Sequence, residues 1–272
     1  MSVAPDLEVR AFPRWLRVAV PVLLGLLFLG GWELLVRTLE IPKFVLPAPS
    51  MIVAALIEDR ATLLGSLWVT LGLTLAAFVM ALVLGFAFAV LFAHSRLMEM
   101  SLFPYAVILQ VTPIVSIAPL VLIWVGLGHL EWALLILATI VAFFPILSNS
   151  TLGLKSVDHN LQELFQLYGA SRWQRFRRLE LPSALPYILG GAKISGGLAL
   201  IGAVVAEFVA GSGTGTGLAW RIIESGNRLN IPRMFAALLL LSLLGILIFF
   251  SLAWLEKRLL GHWHESARPR DS

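Results

Sequence analysis

Cysteine is absent from this 272-residue chain, which excludes disulfides, thiolate metal sites and thiol nucleophiles and leaves the redox compartment unread. Charge is scarce too. Asp, Glu, Lys and Arg make up 13% of the residues, against about 25% in an ordinary soluble domain. No stretch shows the alternating pattern of a strand. A phosphate-binding loop is also missing: the glycine-rich run Gly211-Ser-Gly-Thr-Gly-Thr-Gly217 has no strand before it and no Gly-Lys-Ser/Thr after it, so it reads as a flexible turn.

What is present is apolar. Hydrophobic residues make up 59% of the chain and mean hydropathy is +0.90, more apolar surface than a water-soluble core could hide. It comes in runs near the ~20 residues that cross a bilayer. The expected architecture is an all-α polytopic membrane protein with spans at 18–36, 63–92, 102–124, 132–147, 185–209 and 234–255. Residues 1–17 form a leading segment, 18–258 the membrane domain and 259–272 a tail. The first apolar stretch exceeds a signal peptide's h-region and lacks a small-x-small cleavage site, so it reads as a retained span. Spans three and four, joined by the short turn Val125–Glu131, are expected to form a helical hairpin.

Six spans put both termini on one side. The segments on that side carry Arg10, Arg14, Arg17, Arg96, Lys155, Arg172, Arg175, Arg177, Arg178, Lys257, Arg258, Arg268 and Arg270; the opposite side holds only Arg37, Lys43, Arg60, Arg221, Arg228 and Arg233. The positive-inside bias therefore predicts cytoplasmic termini in a cytoplasmic (inner) membrane, with membrane lipids as solvent. Basic residues distributed between apolar spans give no face for nucleic acid.

The longest segment on the basic side, 153–182, reads as two short helices. Asp158 suits an N-cap and Gly169 a C′ position. Between them Leu161, Leu164, Phe165 and Tyr168 recur at i, i+3, i+4 and i+7, an apolar stripe that wants a partner, either a protein or anionic headgroups. The second helix opens with Ser171 and Gln174 spaced as a capping box, shows Trp173, Phe176 and Leu179 on one side, and is expected to stop before Pro182.

Glu163, Gly169, Leu179, Leu181 and Pro182 fit the E-A-A-x-x-x-G-(x)9-I-x-L-P loop of ATP-binding-cassette (ABC) importer permeases, with Leu for Ile and with Leu164 and Phe165 where two alanines are usual. Leu46-Pro-Ala-Pro-Ser50, Thr112-Pro-Ile-Val-Ser-Ile-Ala-Pro119 and Ala206-Glu-Phe208 resemble the nitrate/sulfonate/taurine subgroup of that family, so the resemblance covers roughly 15–260. It implies the type I importer permease fold and a non-catalytic chain without cofactor. ATP and Mg would be used by two separate cytoplasmic ATPase subunits. A second permease subunit, usually an identical copy, and an extracytoplasmic solute-binding protein complete the implied assembly. The same resemblance implies that Glu163, Leu164, Phe165, Gly169, Ala170 and Ser171 form the ATPase-coupling helix. Relatives carry nitrate, taurine, alkyl sulfonates, and pyrimidine or flavin precursors; the Thr112–Pro119 stretch leans toward the last group.

Span three carries Pro104, Pro113 and Pro119, each of which removes a backbone donor and kinks a helix. Broken helices at membrane depth face a cavity or other protein, so Gln110, Thr112 and Ser116 are candidates for the solute path, the alternative being packing with hydroxyls bonded to their own backbone. Glu207 and Lys193 are charges inside span five. Glu207 is a further path candidate, and structural pairing is the alternative for both. Gly190, Gly191, Gly196, Gly197 and Gly202 suit a close interface between two permease subunits. Two other functions compete: a serine hydrolase using Ser95 beside His94, or Ser212, and an ion-coupled secondary transporter. The first lacks a histidine within a span, and the second lacks internal repeats and midplane carboxylates.

Overall fold

A computed structural model describes residues 14–210 and 217–261, and its described residues are helical throughout apart from short connections. Eleven α-helices follow in chain order: α1 (Arg14–Thr38), α2 (Pro49–Glu58), α3 (Arg60–His94), α4 (Arg96–Val111), α5 (Ile114–Val125), α6 (Leu130–Lys155), α7 (His159–Leu167), α8 (Arg172–Arg175), α9 (Leu181–Ala210), α10 (Leu218–Asn227) and α11 (Ile231–Leu260). Five helices are long and apolar enough to cross a membrane, and the bent pair α4–α5 would make a sixth crossing. The glycine run 211–216, with Ser212, and the tails, with His262 and His264, lie outside the described residues.

The centre is a bundle of α3, α6 and α9. On α3 the buried positions are Leu63, Ser66, Thr70, Thr74, Ala77, Ala81, Gly85, Ala89 and Phe92, a seam of three- and four-residue steps built mainly from small side chains. Lipid supplies no hydrophobic push between helices, so close van der Waals approach has to hold them, and small residues permit it. Ala77, Ala138 and Ala203 meet in one layer and Ala81, Ala142 and Ala199 in the next. Ser195 adds a hydrogen bond from its hydroxyl to the Ala142 carbonyl across α9 and α6.

Three expectations need correction. The glycines of α9 do not form one face for a second subunit: added Cβ atoms at Gly191, Gly196 and Gly202 would meet atoms of α6 or α11, whereas those at Gly190 and Gly197 would meet nothing within 4 Å. The stretch 102–124 is not one kinked helix, because α4 and α5 meet at 104°. Nor does the loop's second helix stop before Pro182. It runs from Arg172 to Ala210 as 39 continuous residues, because the segment Phe176–Glu180 winds as a π-helix in which the Leu181 N–H reaches back to the Phe176 carbonyl. Wide turns of this kind absorb the donor that Pro182 lacks.

The expected hairpin is present. Gly126 closes α5 with φ +86°, a left-handed conformation that favours glycine, and Ala118 and Val121 of α5 pack on Ala133 and Leu137 of α6. Helix α6 outruns the expected 132–147 by two turns, and two side chains of the polar run Ser148–Thr151 bond back along it: Asn149 and Thr151 donate to the carbonyls four residues back, Pro145 and Leu147.

A Cβ at Gly202 would lie 2.9 Å from the Ala138 Cα, a backbone atom that cannot move aside cheaply. Gly202→Ala is therefore expected to destabilise the bundle by about 1–3 kcal/mol, read as a lowered thermal unfolding midpoint in detergent. Gly72→Ala, which meets open space, is expected to leave that midpoint unchanged.

Candidate functional site

Helix α7 stands on its own caps. The Asp158 carboxylate accepts from the Asn160 N–H at 2.7 Å, and Gly169 takes φ +66°, which lets the Gly169 and Ala170 N–H groups close back on the Gln166 and Phe165 carbonyls. This Schellman-type end satisfies carbonyls that would otherwise be orphaned. Immediately beyond it, the Ser171 hydroxyl accepts from the Gln174 N–H at 3.2 Å while the Gln174 side chain accepts from the Ser171 N–H at 2.8 Å. The short helix α7 and the long continuous helix that starts at Arg172 thus meet at one glycine pivot.

The stripe on α7 is not consumed by this chain. Leu161 and Leu164 are each 44% exposed and Tyr168 is 81% exposed, with Phe165 half-buried and no residue of α7 fully buried. Glu163 is also accessible, 3.1 Å from His159 one turn back. Gly169 and Ser171 are exposed and Ala170 is half-buried, so α7 and its capped end stand out from this chain as a ridge. The loop's second part is tied inward instead: Trp173 stacks on Phe176 at 5.7 Å, and Phe176 meets the His94 ring at the end of α3, also at 5.7 Å.

The bend between α4 and α5 collects three other candidates. Pro113 cannot donate, and Thr112 takes an extended conformation between the two helices. Gln110 and Ser116 are exposed and Thr112 is half-buried, its hydroxyl donating to the Ile108 carbonyl at 2.7 Å. That last bond is the one the packing alternative expects. Helix α4 has no buried residue, so its face is open in the single chain.

Glu207 does not join them. It is 4% exposed, accepts from the Thr70 hydroxyl at 2.8 Å and from the Ala219 N–H at 3.0 Å, while Thr70 accepts from the Leu218 N–H at 2.9 Å. Its carboxylate occupies the space that a Cβ on Gly217 would need. A buried carboxylate here acts as the N-terminal cap of α10, where free amides and the helix dipole favour negative charge. Lys193 is likewise paired, 2.9 Å from Glu256 on α11 and over the Phe249 ring.

Helices α2 and α10 went unread in the sequence, though both left signals: Pro49 at a first helical turn, and Arg221, Glu224 and Arg228 three or four residues apart opposite Leu218, Ala219 and Ile222. A second acid repeats the capping arrangement, since Glu33 of α1 accepts from the N–H and hydroxyl of Ser50 at the start of α2. On α10, Arg221 bonds Ser66 at 2.9 Å and Glu224 at 2.7 Å, and Arg228 adds a further contact. The Arg221 hydrogen bond, with the nearby guanidinium charges, holds the Glu224 carboxyl below the usual carboxylate range. Of the residues named for a hydrolase, those described are otherwise engaged: the Ser95 hydroxyl caps α4 at Met98 and His94 faces the Val90 carbonyl and Glu180.

A capped helix with an outward apolar stripe is thus joined to a bundle of apolar spans. The profile of the family described as the binding-protein-dependent transport system inner membrane component matches residues 77–261. The chain belongs to that family. This permease is 34% identical over 265 residues to the riboflavin transport system permease protein RibX of Chloroflexus aurantiacus, covering 95% of this chain and 96% of the relative. It is 34% identical over 241 residues to the formylaminopyrimidine transport permease protein ThiX of Halalkalibacterium halodurans, covering 88% and 94%. Its fold matches a chain of the inward-facing MetNI methionine ABC transporter with TM-score 0.62 at 22% identity, covering 74% of this permease and 97% of that chain. The chain is thus the multi-pass permease component of an ABC importer, working with an ATPase and a binding protein.

Replacing Glu207 by Leu strips the acceptor from the Thr70 hydroxyl and the Ala219 N–H, and an abandoned buried donor costs about 1–3 kcal/mol. Glu207→Leu is expected to free α10 locally, measured as faster tryptic cleavage after Arg221 and Arg228, while the α3–α6–α9 bundle stays protected.

Proposed function

We propose that two copies of this permease enclose a path for a heteroaromatic solute of the flavin or pyrimidine-precursor kind. The α7 ridge docks a cytoplasmic ATPase that binds ATP and Mg, one for each copy. An extracytoplasmic binding protein delivers the solute to the face capped by α2 and α10. In this reading both termini and the 153–182 loop are cytoplasmic, as the distribution of Lys and Arg favours. The observation that carries it is the outward apolar stripe on a helix capped at both ends. Such a helix is poorly suited to water yet rigid enough to pass on a push without unfolding, and Leu164 and Phe165 give it more bulk than two alanines would.

The solute class is favoured by two relatives. RibX and ThiX, whose names specify riboflavin and formylaminopyrimidine transport, each align with most of the chain. The open face of α4 and the bend at Thr112 suit the wall between two copies, with Gln110 and Ser116 toward the path. Glu207 is better read as the anchor of α10 than as a solute contact.

The test is purification of the tagged permease from its native membrane with and without Glu163→Ala. The expected outcome is a stoichiometric ATPase with the unaltered chain, lost or strongly reduced with the variant. A co-purifying binding protein is then expected to show a raised melting temperature with riboflavin or a formylaminopyrimidine. A shift only with nitrate or taurine overturns the solute class. Absence of any ATPase in several mild detergents overturns the docking.

A further inference from the structure

Between the α7 ridge and the bundle lies a joint that ought to be weak. The π segment Phe176–Glu180 replaces the usual i→i−4 ladder with a wider turn, and Pro182 removes one more donor just beyond it. Without further support, α8 could swing on α9 and a push on the loop would be spent at this turn.

One side chain bridges the weak point. Glu180 is buried, at 8% exposure. One carboxylate oxygen lies 2.9 Å from the Arg175 Nε, on the near side of the π turn, and the other lies 3.3 Å from the His94 Nε2 on α3. His94 is held in turn through its Nδ1, 2.9 Å from the Val90 carbonyl, and through its edge contact with Phe176. A buried carboxylate held between two elements favours their staying together, because moving Arg175 away leaves its charge without compensation and moving His94 away strips a polar neighbour from a buried site. Leu154 of α6 and Ala184 of α9 pack with Phe92 close by, so the clamp sits on the close-packed bundle.

We propose that Glu180 is a positioning residue for coupling: gripped by Arg175 and His94, it makes the loop helices and the end of α3 move as one body when the ATPase pulls on α7. This rests on the docking of α7 proposed above. It adds that the pull enters the bundle through α3 as well as along α9.

The cysteine-free chain allows a direct test by spin labelling. Labels at Gln166→Cys on α7 and Leu91→Cys on α3 report one short intra-subunit distance, and labels at Gln166→Cys and Leu247→Cys on α11 report another. Both are measured by double electron–electron resonance in the permease–ATPase complex, nucleotide-free and trapped with ATP and vanadate. In the otherwise unaltered chain the α7–α3 distance is expected to stay fixed while the α7–α11 distance shifts on trapping. With Glu180→Gln or His94→Leu the α7–α3 distance is expected to become nucleotide-dependent. His94→Lys, which places a cation against Glu180, is expected to hold it fixed.

A nucleotide-dependent α7–α3 distance in the unaltered background, or a fixed one with both clamp variants, overturns the proposal. If Glu180→Gln and His94→Leu both fail to assemble with the ATPase while His94→Lys assembles, the cluster is a structural prop and the proposal is overturned as well. An α7–α11 distance that ignores trapping overturns the coupling motion, and failure of the unaltered chain to assemble with the ATPase overturns the docking itself, which separates that failure from failure of the clamp.

Discussion

A hydrocarbon solvent offers no hydrogen bonds, and every polar group placed in it has to be answered by another part of the same assembly. In this permease that constraint accounts for the acids within apolar helices. Glu207 and Glu33 are not scattered charges. Each closes the N-terminus of a short helix that follows later in the chain, Glu207 at Ala219 and Glu33 at Ser50. A helix start left uncapped near the membrane would expose up to four amide donors, and a carboxylate left unpaired would be more costly still. Bringing the two together satisfies both and ties α2 and α10 to the long helices.

The same constraint shapes the core. Because burial in lipid yields little hydrophobic gain, the three central helices are held by contact distance, and alanine, glycine, serine and threonine line their seam. Bulk appears where the seam opens, at Phe92, Phe103 and Phe143, whose rings meet edge to face or pack together near the loop end. The bundle is thus tight along its length and more heavily filled where the 153–182 segment attaches. A rigid attachment of that kind is what a rigid-body transition requires.

Much of the loop was legible from residues alone, because caps are local: Asp158, Gly169, Ser171 and Gln174 act within four residues of themselves, and the structure places each in the geometry its side chain or backbone freedom implies. The spans were legible in number but not in extent. Hydropathy reads Ser148, Asn149, Ser150 and Thr151 as an exit from the membrane, whereas they bond back along α6 or lie against neighbouring helices. Pro182 reads as a stop because local rules assume an α-helix on both sides; a π turn is a tertiary solution that periodicity does not reveal. The role of Glu207 was out of reach for another reason. Its partner Thr70 lies 137 residues away, and no short-range pattern links them.

The break at Thr112–Pro113 and the π turn before Pro182 answer the same chemical problem in opposite ways. Each proline deprives a helix of a donor at membrane depth or near it. At Pro113 the chain gives up the helix and turns through 104°, exposing Gln110 and Ser116 on a face that the single chain leaves open. At Pro182 the chain keeps its helix, widens one turn and braces it with Glu180, Arg175 and His94. A path wall, the role proposed for the first, benefits from irregular backbone and exposed polar groups, and a transmission joint, the role proposed for the second, benefits from an unbroken, clamped rod. The difference between the two prolines is therefore carried by their neighbours. Pro113 is preceded by a threonine whose hydroxyl turns back on its own helix, while Pro182 follows a buried acid held between two side chains from separate elements, Arg175 and His94.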